Sequence, residues 1–245
     1  MFASTAPAPD LSPPQEAEEE AREQLAALAA RVRPVSNAAS RLLPLTGPLR
    51  PLFAHGGLRR GSTVLVTGVP GGGATTLALS LLVGTSRAGG WCALVGTAHP
   101  GVVAMAELGL DLARVAIVPV PAAAWAEAAG QLLGGVDVVL VRPPGRVRLT
   151  AGRHLSARAR ERQSTLVVLA AGPGDWPEAP DVTLRASGAR WEGIGRGHGH
   201  LRARRTTVEV TGRRGGDRAA AHALWLPAAG QRASGAGPAD PPGAP

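Results

Sequence analysis

Lysine is missing from this chain, and all 26 basic residues are arginine. Chemistry that needs a side-chain amine is thereby excluded. That covers Schiff-base catalysis and the phosphate-gripping lysine of nucleotide enzymes. Tyrosine is missing too. With two Phe and five Trp as the whole aromatic complement, any base stacking falls to Trp, His or Arg. A single cysteine, Cys92, rules out an intramolecular disulfide and a multi-cysteine metal site. No apolar run approaches the ~20 residues of a membrane span. The Pro- and Glu-rich N-terminus lacks a signal-peptide pattern, so a soluble, cytoplasmic protein is expected. A genome rich in G and C would by itself produce the excess of Arg, Ala and Gly.

What is present suffices for a real core: 245 residues, 44% of them hydrophobic. Of the 22 prolines, 13 lie before residue 52 or after residue 226, which places the expected disorder at the ends. Charge is uneven. Residues 1–33 carry six acids and three Arg, whereas residues 142–218 carry 16 Arg and seven acids. An acidic head and a basic back half point to a nucleic-acid or acidic-protein partner, against the plainer reading of a solvated Arg-rich surface.

Residues 1–14 read as a disordered arm and 15–39 as an N-terminal helix and linker. Acids fill the first turns of that helix, Arg31 and Arg33 its last, and Pro34 ends it. Leu25, Leu28 and Val32 form a narrow apolar stripe. The stripe either packs on its own domain or docks a partner or a second copy of the chain.

Residues 40–211 read as an α/β core. Short apolar strands are expected at Ser62–Thr67, Trp91–Gly96, Val115–Val120, Val136–Val141 and Thr165–Ala170. Helices are expected at Thr75–Ser86, Val102–Leu110, Ala122–Leu133 and Thr150–Gln163. That alternation means a mainly parallel sheet covered on both faces. Val182–Ala186 and Thr206–Val210 then look like an antiparallel ribbon joined by a Gly/His/Arg loop. Residues 212–245 read as a basic, then Pro/Gly/Ala-rich, mostly disordered tail. Within it, His222–Pro227 is an apolar island fit for a terminal strand.

The strongest local signal is Gly68-Val69-Pro70-Gly71-Gly72-Gly73-Ala74-Thr75-Thr76, between a strand and a helix. Gly68, Gly73 and Thr75 match the phosphate-loop pattern G-x-x-x-x-G-K-[ST] in register, with Ala74 at the lysine position. Glycines let backbone N–H groups converge on an anion at a helix N-terminus. Without lysine, the point charge on the outer phosphates is lost.

The segments Gly56–Leu82, Ala88–Gly96 and Gly134–Arg142 resemble the RecA/RadA recombinase core: its phosphate loop, its next strand and its Walker-B strand. The resemblance covers roughly residues 40–211 and implies a P-loop fold. It also implies three losses. Ala74 replaces the lysine, Arg142 stands where an Asp would help hold Mg²⁺, and Ala98, beside His99, stands where the catalytic Glu would be. Phosphoryl transfer rests on positioning, metal and charge neutralisation, so no hydrolysis is expected. Arg142 should point toward Thr75, there to hold a phosphate without metal or to plug the pocket, unless it turns to solvent.

The stretch Asp181–Arg214 resembles the actinobacterial RecA-like accessory proteins of the ImuA/SulA-like group. This resemblance implies a role in the SOS response to DNA damage and in translesion synthesis. The implied partners are a Y-family-like polymerase adaptor and an error-prone polymerase. Arg142–Leu149 and Ala171–Pro180 are too short for the long DNA-gripping loops of a recombinase filament. Arg146, Arg148, Arg153, Arg158, Arg160, Arg202, Arg204 and Arg205 remain as candidate contacts to DNA or an acidic partner. His198 and His200 are too thin a set for a metal site, and Cys92 reads as core. The expectation is therefore a non-hydrolysing adaptor that needs no cofactor, with ATP or ADP bound without turnover at most. An ATP-binding recombinase and a nucleotide-sensing regulator are the alternatives.

Overall fold

The computed structural model describes residues 41–97, 100–194, 199–212 and 220–227, and all of these belong to one unit starting at Arg41. The N-terminal arm and helix expected over 1–39, Ala98, His99 and His198, and the tail on either side of 220–227 lie outside the described residues.

A small antiparallel pair opens the unit, β1 (Leu42–Pro44) against β2 (Gly57–Arg59), with a 3-10 segment, Gly47–Leu52, between them. Six parallel strands follow in chain order: β3 (Thr63–Gly68), β4 (Cys92–Val95), β5 (Val115–Val118), β6 (Val138–Val141), β7 (Thr165–Leu169) and β8 (Val182–Ile194). The ribbon continues through β9 (Gly199–Gly212) and β10 (Ala220–Pro227), each antiparallel to its predecessor. The sheet order is β10-β9-β8-β3-β7-β6-β4-β5. The helices are α1 (Ala74–Arg87), α2 (Val102–Glu107), α3 (Trp125–Leu132) and α4 (Leu149–Arg162). The architecture is thus mixed α/β, with a mostly parallel central sheet flanked by helices and an antiparallel ribbon at one side. None of the described helices is long and apolar enough to cross a membrane.

Strand alternation explains the two cores. Val64 and Val66 of β3, Val138 and Leu140 of β6, and Val167 of β7 share one apolar layer with Leu77 and Leu81 of α1. Their neighbours Leu65, Val139, Val141, Leu166 and Val168 face the other layer, with Ala129 of α3 and Leu155 and Ala159 of α4. Both faces are buried, so the strands read as continuous apolar runs. Truncating one of these leucines to alanine would cost about 2–5 kcal/mol.

At the amino ends of the strands, a polar clamp ties the layers. Asp137 accepts from Arg60 Nη1 at 2.6 Å and from the Trp91 amide at 2.9 Å, and Asp181 accepts from the Thr63 amide at 2.9 Å. The carboxyl ends of β3, β4, β6 and β7 are left for the connections that build the cavity described next, the usual place for a ligand on an open parallel sheet.

Two differences from the sequence-based expectation matter. The ribbon strands run longer than Val182–Ala186 and Thr206–Val210, because pairing continues through the Gly- and Arg-rich stretch as far as Ile194 and Gly199. In addition, β8 is parallel to β3, with Gly68 opposite Ala186. It therefore belongs to the parallel sheet and the ribbon at once, and its second half extends past the end of β3. The island at His222–Pro227 forms the core of β10.

Candidate functional site

The glycine loop leaves β3 at Gly68, where a Cβ would fall 2.6 Å from the Ala186 carbonyl oxygen. Only glycine lets the loop turn so close to β8. At the far end, Gly73 is the N-cap of α1 with φ +95°, a left-handed conformation that side chains avoid. The Leu77 amide returns to the Gly73 carbonyl at 2.9 Å, and the Gly72 amide to Val69. The amides of Gly73, Ala74, Thr75 and Thr76 donate to no backbone carbonyl among the described residues, and no side chain caps the helix. They are the orphan donors of a helix start.

Two of these four residues, Thr75 and Thr76, line a cavity of about 380 Å³. Thr75 and Thr76 of α1 form one wall, Leu94, Leu140 and Leu169 at the carboxyl ends of β4, β6 and β7 line its apolar side, and Glu107 of α2 contributes to the rim. Arg142, one residue past β6, reaches the same cavity while keeping substantial exposure. The cavity thus brings together Thr75, Thr76 and Arg142 from the sequence-derived set.

The ribbon closes the site. Trp191 on β8 and Arg204 on β9 are register partners, and both line the cavity. Arg204 is only 8% exposed. A Cβ built on Gly73 would sit 2.8 Å from its Nη2 and 2.9 Å from its Cζ, so the guanidinium lies against the loop. It also lies over the Trp191 ring, 5.0 Å from Cζ to centroid. Among the described side chains, the Nε is buried without a hydrogen-bond partner and no carboxylate lies within 4.0 Å of the group. Burial pulls its pKa below the ordinary arginine value, although a guanidinium in a protein stays charged.

Arg204 was expected on a surface for DNA or an acidic partner, and the structure places it inward instead. On β9, residues 204, 206 and 208 are buried and Arg205 is exposed, so the three clustered arginines cannot share one face. That two-residue alternation with Thr206 and Val208 is the signal by which the sequence marks Arg204 as inward. Arg146, Arg148, Arg153 and Arg160 are exposed, and Arg158 is half-buried on α4. Arg153 lies 3.6 Å from Glu178. The side chain of Arg202 lies outside the described ones. Sequence reasoning did not single out Trp191 or Glu107 as cavity residues.

Cys92 is fully buried in β4, and burial, helped by the nearby Asp137 charge, pushes its thiol up to about 12. It has no thiolate character at neutral pH. Among the described residues, no group of three or more His, Cys, Asp or Glu converges for a metal.

A family profile described as MT3502 N-terminal domain matches residues 51–178, from the 3-10 segment through the glycine loop and past β7. An uncharacterized Mycobacterium tuberculosis (strain ATCC 25618 / H37Rv) protein, Rv3395c, is 39% identical over 105 residues, covering 42% of this chain and 50% of the relative. The chain therefore spans about half the length of that curated relative. Neither description names an activity. The family match ends before β8, so Trp191 and Arg204 stand outside it while completing the cavity.

Proposed function

The chain belongs to the MT3502 N-terminal domain family, and from that frame we propose that it is a non-hydrolysing RecA-like accessory protein of DNA repair. In this reading it is an adaptor between proteins of damage-induced mutagenesis, with the exposed arginines of α4 and β9 available to DNA or an acidic partner.

One observation carries the reading. At the mouth of the sheet, where a nucleotide-hydrolysing site needs a lysine and a metal carboxylate, this chain has Ala74 and Arg142, with the Arg204 guanidinium laid on the loop. Mg²⁺ takes one or two carboxylates together with substrate phosphates. The cavity's described lining offers the Thr75, Thr76 and Thr97 hydroxyls, one carboxylate, Glu107, and two guanidiniums. Two guanidiniums outnumber that single rim carboxylate, so a divalent cation would enter a lining that is already net positive; Mg²⁺ does not fit, and no step is drawn through a metal. The scaffold then contributes a surface and a shape. By resemblance, its partners are a Y-family-like polymerase adaptor and an error-prone polymerase.

The test is phosphate release by the purified full chain, with ATP and Mg²⁺, with and without single-stranded DNA. Release at background supports the reading, together with capture of a polymerase-type partner from damaged cells. Release well above background, lost in Thr75→Ala, establishes the recombinase alternative instead. ATP-dependent change in partner capture without release establishes the nucleotide-sensing regulator.

A further inference from the structure

We propose that the cavity at the start of α1 is a metal-independent binding site for the phosphate end of a small phosphorylated ligand, with Arg204 supplying the cation. Two independent features converge on it. The first is the run of amides from Gly73 to Thr76 at the N-terminus of a 14-residue helix, none donating to a backbone carbonyl among the described residues. Such a helix start presents aligned donors and a positive dipole end to an anion.

The second is Arg204 itself. A charged side chain more than nine-tenths buried is normally matched by a counter-charge. Here the guanidinium lies against Trp191 and the loop at Gly73, with no carboxylate within 4.0 Å among the described side chains. An aromatic face attracts the cation but accepts none of its five N–H donors in plane. An anion seated between the amides and the guanidinium would satisfy both sets. Arg142 faces the same space from the end of β6 as a second cation.

The ligand class follows from charge and size. Guanidinium forks match phosphate oxygens in pairs. Two such groups neutralise a dianion without a divalent metal. The volume of about 380 Å³ lies in the range of small-molecule pockets, and its apolar wall of Leu94, Leu140 and Leu169 suits the non-phosphate part of an ester.

This site is independent of the adaptor reading. Binding without turnover is compatible with an adaptor, and absence of binding leaves the adaptor standing while overturning the site. The experiment is calorimetric titration of the full chain with inorganic phosphate, pyrophosphate and ADP, each in EDTA and again in Mg²⁺. The expected result is binding of pyrophosphate or ADP that is no weaker in EDTA. Affinity should fall about tenfold or more in Arg204→Gln and be partly retained in Arg204→Lys. Inorganic phosphate binding as well as pyrophosphate assigns recognition to a single phosphate group. ADP binding best assigns it to a nucleotide. Circular dichroism and thermal melting verify that each variant is folded. If Arg204→Gln fails to fold, the metal comparison on the unaltered chain and the Arg204→Lys titration decide. Strict Mg²⁺ dependence, unchanged affinity in folded Arg204→Gln, or no binding of any probe at millimolar concentration overturns the proposal.

Discussion

Arg204 and Trp191 face each other across adjacent strands of the ribbon, with the guanidinium carbon 5.0 Å from the indole centroid. Their pairing holds a buried cation over the glycine loop. Trp191→Ala removes one wall of that arrangement. A cation–π contact of this kind contributes about 0.5–2 kcal/mol. The expected outcome is a stability loss of that size in urea unfolding, with unchanged secondary structure. A loss below about 0.3 kcal/mol, the order of coupling scatter between distant sites, would show that the stacking does not hold Arg204.

Gly73→Ala strikes the same place from below. The position has φ +95°, and the added Cβ would meet Arg204 Nη2 at 2.8 Å. The guanidinium can swing away, but the backbone strain stays, at about 1–3 kcal/mol. Combining Gly73→Ala with Arg204→Ala should therefore relieve the contact while retaining the strain. A double-mutant cycle that finds no coupling would mean that the two residues do not touch in solution.

The parallel core was legible in the chain because each strand is buried on both faces and reads as an unbroken apolar run, such as Val138–Val141 or Thr165–Leu169. The glycine loop was legible for a similar reason, since its conformation demands glycine at Gly68 and Gly73. The second half of β8 and the first half of β9 were not. Gly188 and Gly199 are weak strand formers, and only pairing across the ribbon makes those stretches extended. Arg204 looked like one more member of a basic patch, because composition ignores phase. Its place in the cavity depends on β8 overrunning β3, a tertiary fact without a local signature. The pair β1 and β2 was missed because three residues are too few to show a period.

Ala74→Lys restores the residue type that the phosphate-loop pattern requires but should not create turnover. The new ammonium would stand one residue before Thr75, beside a cavity already lined by Arg142 and Arg204, and the position aligned with the metal carboxylate would still be arginine. The expected result in a phosphate-release assay is background with Mg²⁺ and ATP. Measurable ATP hydrolysis by the single variant would mean that lysine alone was limiting, and that Arg142 is no obstacle to metal.

Asp137 lies at the opposite ends of the strands from the cavity and serves stability. It accepts from both Arg60 and the Trp91 amide. Asp137→Ala leaves that amide without its carboxylate acceptor and should cost about 1–3 kcal/mol. The pair with Arg60 adds little of this, because both side chains are partly exposed. Unfolding midpoints measure the loss. Anion binding in the cavity should be unaltered, and a parallel fall in anion affinity would tie the two ends of the sheet together.

The missing lysine and tyrosine also make Cys92 readable in alkali. In the fold its thiol is pushed from 9.0 to about 12 by burial and by Asp137. Between those values the unfolded chain loses the thiol proton while the folded chain keeps it, so the unfolded state binds fewer protons. Stability must then fall as pH rises through this window, by at most about 1.4 kcal/mol per pH unit. In most proteins lysines and tyrosines titrate in the same range and hide one thiol. Here neither residue exists. Cys92→Ala should cost about 1 kcal/mol for the lost packing and flatten the slope between pH 9 and 11 in urea unfolding. An equal slope in both proteins would mean that water reaches the β4 thiol, and with it the layer between α1 and the sheet.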